Sequence, residues 1–336
     1  MKRLLLLITV LVTNLIFGSG VVNVYTSRHY DSDKSIYLEF ERQTGIKVNV
    51  VQNNDVSALI KRLELEGKST DADVFITVGV GDLYTAKMKN LLQPITSRKV
   101  LANVPTNFRD KSNNWVGLTY RARILVYNPE KVNVKELSTY EALTDKKWDN
   151  RILTRSSSSS YNKHLISFMI AKKGEKSATE WAKGLVENFA RSPKGNDRDQ
   201  AKAVLAGVGD IAIMNSYYMG KMTDSKDPLE REVASKLKIF FPNQKDGGTH
   251  INLSGAGITK YSKNKENAVK FVEFLTDKYA QMVYSYENYE YPVNPKTEIS
   301  PVVKSWGTFK PSKIDFDKIG QNLEKAKFVA DSANWK

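Results

Sequence analysis

The stretch VVNVYTSRHY at residues 21–30 decides the fold. Its first six residues are rich in β-branched side chains, the composition of a strand. Ser27-Arg28-His29-Tyr30 then breaks the pattern with polar and amphipathic groups. From about Asp33 onward, Ile36, Tyr37 and Phe40 recur at helical spacing until Gly45 stops the run. The order is strand, polar loop, helix, and it repeats. The pattern predicts a strand over 46–51, a helix over 56–66, a strand over 74–78 and a helix entered near Gly81-Asp82. Such alternation predicts a parallel sheet with helices on both faces.

A second alternating region runs over 151–241, with strands predicted just before it at 124–127 and within it at 211–214. Helices are predicted over 162–171, 178–188 and 198–205, then a strand over 254–259 and a helix over 266–275. At 336 residues the chain exceeds a single comfortable core, so two domains are expected. In open α/β sheets, ligands collect at loops leaving the carboxyl ends of strands. Here those loops are 27–30, 77–81 and 215–218, the last reading Asn-Ser-Tyr-Tyr.

The first twenty residues differ in kind. Lys2 and Arg3 precede an apolar run over 4–17, and Gly18-Ser19-Gly20 offers a small-residue cleavage point. A run of about 14 residues is short for a bilayer that needs about 20. Residues 1–20 therefore read as an export signal, which places the mature chain outside the cytoplasm. An uncleaved anchor is the competing reading. The chain has no cysteine, which excludes a lipid-modified cysteine, thiolate metal sites, iron–sulfur clusters and cysteine nucleophiles. Any metal must be held by oxygen or nitrogen.

The formal charge is +14, and subtracting Lys2 and Arg3 leaves +12. The basic residues are scattered, without interleaved stacking aromatics or a nucleic-acid motif, so nucleic acid is not expected as a partner. A solvated lysine-rich surface accounts for most of this charge, with attraction to an anionic membrane face as the functional remainder.

Sixteen tyrosines are too many to rank by count. Position separates them. Tyr30 follows the first strand, Tyr217 and Tyr218 follow the strand at 211–214, and Tyr161 stands at a helix start after the serine run 156–160. A generic tyrosine is a half-buried core ring, but adjacent residues cannot both face one core. A phenol ionises near pH 10 unless a strong cation displaces its proton. Hard oxygen donors suit hard cations, and tyrosinate is an iron ligand. Tyrosines converging on one site would favour Fe³⁺.

Several ordered motifs carry a resemblance. They are 24–30 (VYTSRHY), 44–48 (TGIKV), 72–75 (ADVF), 117–123 (GLTYRAR), 215–218 (NSYY), 254–257 (SGAG) and 290–295 (EYPVNP). Each is weak alone, but in this order they span nearly the whole mature chain. The chain resembles the periplasmic ferric-iron-binding proteins of bacterial ABC importers, in the FutA-type branch found in cyanobacteria. The resemblance implies a two-lobed α/β binding protein (class II), with lobes joined by crossing strands and a ligand cleft between them. The implied division is 21–118 plus 249–296 for the N-terminal lobe and 119–248 plus 297–336 for the C-terminal lobe. It also implies Fe³⁺ as the transported ligand, a permease in the inner membrane as partner, and a periplasmic monomer that is not an enzyme. Tyr217 and Tyr218 match the most diagnostic ligand pair, and Tyr30 and Tyr161 match further tyrosine ligands of that branch. His29 stands at the family's histidine position. The anion-dependent relatives add a glutamate, yet no carboxylate lies around Ile76-Thr77-Val78. His29 is therefore left between metal ligand and cleft-lining residue.

Four phenolates around Fe³⁺ leave an excess negative charge, which calls for a nearby cation. Arg121 is the first choice and Arg123, on the same strand face, the second; an ordinary structural ion pair is the bland alternative. His164 and His250 have no spaced partner and are expected to be structural or exposed. The serine run could cradle an anion at a helix start or be a plain polar loop. No hydrolase triad, metalloprotease motif or phosphate loop is present. The same fold could instead bind phosphate, sulfate or a polyamine. Serine and backbone donors without tyrosines would mark the oxyanions, and aromatic boxes with carboxylates the amines.

Overall fold

A computed structural model describes residues 20–336; the expected export signal otherwise lies outside the described residues. Ten strands form one mixed sheet. They are β1 (Val21–Thr26), β2 (Lys47–Gln52), β3 (Val74–Thr77), β4 (Leu92–Gln93), β5 (Val116–Tyr127), β6 (Ile152–Leu153), β7 (Ile211–Asn215), β8 (Lys238–Phe240), β9 (Ile251–Thr259) and β10 (Tyr291–Pro292). The main path runs β2-β1-β3-β9-β5-β7-β6.

One half follows the expected logic. β1 pairs in parallel with β2 and β3, and a helix follows each strand, at Asp31–Thr44, Val56–Glu66 and Val80–Met88. The first of these helices begins two residues earlier than its apolar spacing indicates. Tyr30 holds the extended N-cap position, and Asp31 and Asp33 sit in the first turn, where carboxylates favour the positive end of the helix dipole. In the other half, β6 and β7 pair in parallel; helices Ser160–Lys173, Glu175–Glu187 and Asp197–Leu205 come between them in the chain, and the last packs against both.

The wholly parallel sheet is not found. β9 runs antiparallel to both β3 and β5, and β5 antiparallel to β7. Both strands are longer than their patterns indicate, twelve residues for β5 and nine for β9. They are buried on both faces, so the period-2 signal that would mark their ends is missing. β5 pairs with β9 through Ala122 and with β7 from Arg123 onward, and so passes from one half of the molecule to the other. Where β5 and β9 meet, the ladder is irregular, and a Cβ at Gly255 would stand 2.6 Å from the Val116 carbonyl oxygen. Only glycine permits that approach. The apolar interior is continuous across these strands, from Val24 and Phe75 through Leu125 to Ile213.

Helices at Tyr217–Thr223, Pro228–Lys236, Lys278–Glu287, Phe316–Gln321 and Leu323–Ser332 were not legible in the apolar spacing. Among the described residues no helix is long and apolar enough to cross a membrane.

Candidate functional site

Four tyrosines reach one cavity from three chain segments. Tyr30 stands where β1 gives way to helix Asp31–Thr44, on a loop pinned by the Val78 amide donating to the Ser27 hydroxyl at 3.3 Å. Tyr161 is the second residue of helix Ser160–Lys173, whose N-cap Ser159 accepts from the Tyr161 amide. Tyr217 and Tyr218 open helix Tyr217–Thr223 directly after β7, instead of lying in a loop. Ser216 anchors that turn to β5, donating its amide to the Ala122 carbonyl and accepting from the Ala122 amide on its hydroxyl.

The phenols are close together. Tyr161 Oη lies 3.2 Å from Tyr217 Oη. The Tyr217 and Tyr218 rings stack at 4.2 Å between centroids, and Tyr30 meets Tyr217 edge to face at 6.0 Å. Tyr30 Oη is buried and has no hydrogen-bond partner among the described residues. Burial, reinforced by Tyr161 and Glu290, pushes the Tyr30 phenol well above its ordinary range, against the pull of Arg121 and Arg28. Burial and the neighbouring tyrosines do the same to Tyr217, and burial again leads for Tyr218. Without a cation these three stay neutral at neutral pH. All four tyrosines and His29 line a cavity of about 680 Å³. Among the described residues, no three His, Asp or Glu side chains gather as a metal site.

His29 is exposed at the cavity edge, its ring 4.8 Å from that of Tyr30 and its Nδ1 3.5 Å from the Ser27 carbonyl oxygen. Of the three histidines it alone lines this cavity. His164 and His250 are 2% exposed, and burial lowers both, His164 to about 4.

Arg121 lies behind the phenols, fully buried, with its guanidinium carbon 5.9 Å from the Tyr161 ring centroid. It donates to Ser254 Oγ at 2.7 Å and to the Val78 carbonyl, and stands 3.6 Å from Glu290. Arg123, on the same strand, is engaged in an ion pair. It is held 2.6 Å from Asp197, which also accepts from the Asn215 amide, and so ties the end of β7 to helix Asp197–Leu205.

Several charged residues of the site escaped the sequence reading. Arg28 packs its guanidinium 4.7 Å from the Tyr30 ring centroid and pairs with Asp33 at 3.0 Å and Glu290 at 3.2 Å. Burial would raise the Glu290 carboxyl, but Arg28 and Arg121 outweigh it and hold it below its usual range. Arg121 thus shares its charge with Glu290. Lys221 places its ammonium 4.7 Å from the Tyr30 centroid and 5.8 Å from that of Tyr217, with no ion pair among the described residues. It follows Tyr217 by four positions on one helix, a spacing that would have flagged it had the helix been recognised. Arg28 and Glu290 lay inside quoted motifs, but nothing local marked them as partners across 262 residues.

The model of bacterial extracellular solute-binding proteins matches residues 36–311. The chain is 42% identical over 315 residues to iron uptake protein A1 of Synechocystis, covering 94% of this chain and 87% of that one. A Trichodesmium FutA structure described as a complex with iron and citrate superposes with a TM-score of 0.90 at 44% identity, covering 94% of this chain and all of that one. A ferric binding protein from Campylobacter jejuni gives 0.88 at 42% identity over the same 94%, again covering all of that chain. With its two halves, crossing strands and tyrosine-lined cavity, the chain belongs to the bacterial extracellular solute-binding protein family, in the branch of the periplasmic ferric-iron-binding proteins.

Proposed function

We propose that this protein is the substrate-binding component of an ABC-type iron importer, which takes Fe³⁺ between its lobes and delivers it to a permease. The observation that carries this reading is the convergence of Tyr30, Tyr161, Tyr217 and Tyr218, with one phenol oxygen orphaned and two others 3.2 Å apart. Metal binding displaces the phenol protons and leaves four charged oxygens around a hard trivalent ion. His29 flanks this set at the mouth. The relatives named for iron support the same ligand. Export to the periplasm and action as a monomer belong to the proposal.

Residues 21–118 with 249–296 form the N-terminal lobe in this account, and 119–248 with 297–336 the C-terminal lobe. The tail is shared, because helix Phe316–Gln321 packs against both Val80–Met88 and Ser160–Lys173. Tyr30 then comes from one lobe and the other three phenols from its partner. Binding is expected to close the cleft as a hinge. Solution scattering should give a smaller radius of gyration with Fe³⁺ than without, and an unchanged radius would count against a gripping cleft.

Tyr30→Phe and Tyr161→Phe test the ligand set. Each keeps the ring and deletes one oxygen, so affinity should fall and the visible charge-transfer band should move. A band unmoved in both variants removes them from the site.

Arg121 supplies positive charge behind the phenolates, tempered by Glu290. Arg121→Ala should weaken Fe³⁺ binding less than loss of Tyr217 and raise the pH at which iron is released. A release midpoint equal to that of the unmodified protein would assign Arg121 to structure alone.

A further inference from the structure

Tyr289 holds an unusual backbone position. Its φ is 57°, in the left-handed region that bulky side chains rarely occupy. Such strain persists only where the surroundings impose it. The ring is buried in an apolar cluster with Tyr30, Tyr217, Tyr291 and Val303, so it touches the same packing as two of the proposed ligands.

The surroundings are specific. The Tyr289 hydroxyl donates to Asp224, the residue that ends helix Tyr217–Thr223. The base of the Tyr289 side chain abuts Gly220 in the middle of that helix, where an added Cβ would stand 2.2 Å from the Tyr289 Cγ and 2.5 Å from its Cβ. Glycine is a poor residue for a helix interior, and here the contact with Tyr289 requires it. The two following residues lead elsewhere. Glu290 binds Arg28 beside Tyr30, and Tyr291 pairs with Tyr120 on β5, their rings stacked at 5.1 Å. A three-residue segment therefore touches the Tyr217–Tyr218 helix, the Tyr30 loop and the crossing strand.

The geometry points to an interlobe clasp, in which Tyr289 seated on Gly220 sets how closely the helix bearing Tyr217 and Tyr218 approaches Tyr30. Tyr289 acts as a positioning residue, holding the two halves at the spacing the ligand needs and touching no iron itself. This rests on the lobe division and ligand set proposed above.

Four variants test it: Tyr289→Phe, Gly220→Ala, Tyr289→Gly, and Gly220→Ala combined with Tyr289→Gly, the last two compared with each other. The first readout needs no iron. In the iron-free protein, Tyr289→Phe and Gly220→Ala should speed amide exchange over 217–223 and enlarge the radius of gyration. The double variant should be no more open than Tyr289→Gly alone, because the added methyl then meets neither the Cβ nor the ring of residue 289. The second readout is iron release. Losing a hydrogen bond to a carboxylate should make Tyr289→Phe release Fe³⁺ about tenfold faster. Its charge-transfer band at saturation should not move, because all four ligand oxygens remain. Unchanged exchange and radius in both Tyr289→Phe and Gly220→Ala overturn the clasp, as does full additivity in the double variant. A shifted band would make Tyr289 a ligand and overturn the positioning role. If the variants open the protein while the unmodified chain gives no iron band, the clasp stands and the iron reading falls.

Discussion

Tyr217→Phe is expected to lower Fe³⁺ affinity by more than about a hundredfold, the upper range for losing a mere outer partner of a metal ligand. Tyr217 is 1% exposed, its hydroxyl lies 3.2 Å from that of Tyr161, and its ring meets those of both Tyr218 and Tyr30. Phenylalanine keeps the ring that packs there and deletes only the donor. The fold should lose about 1 kcal/mol at most, the worth of the hydrogen bond with Tyr161. The expected outcome is a protein with a near-normal melting temperature that no longer holds iron against a competing chelator. Near-normal affinity in a folded variant would take Tyr217 out of the site.

The second large effect is on pH. Tyr30, Tyr217 and Tyr218 have phenols raised above their ordinary range, chiefly by burial, so the iron-free site is protonated at neutral pH. Iron takes the ionised form, and each of these phenols must release its proton on binding. Lowering the pH supplies the competitor. Affinity should therefore fall with acidity throughout the range from neutral to mildly acid, by about one log unit per pH unit for each phenol proton displaced, up to about four for the four proposed ligands. The whole range lies below these phenols' titration, so the slope should be fully developed there. Calorimetry in buffers of different ionisation heat counts the protons directly. A flat affinity over that range would reject phenolate ligation.

Much of this site was legible because strand ends are legible. Residues 21–30 announce a strand and a polar loop, and Tyr30 lies at that junction. The same reading found Tyr217-Tyr218 after 211–214 and Tyr161 at a helix start. The topology was less accessible. β5 and β9 lie in the middle of the sheet, buried on both sides, so no polar–apolar alternation marks their extent or distinguishes antiparallel from parallel pairing. The charged residues behind the phenols were hidden for another reason. Glu290 meets Arg28 and Arg121 only after residues far apart in the chain have been folded together. Helix Tyr217–Thr223 is short, with tyrosine, methionine and glycine in place of an apolar stripe, so Lys221 had no visible face to belong to.

A visible-light titration with Fe³⁺ tests the central claim most directly. Tyrosinate bound to ferric iron absorbs by ligand-to-metal charge transfer, whereas carboxylate, water or free phenol does not give that colour. A band should grow with added Fe³⁺, stop at a single equivalent, and be lost in Tyr217→Phe. Tight binding of one Fe³⁺ by a colourless protein would contradict the claim.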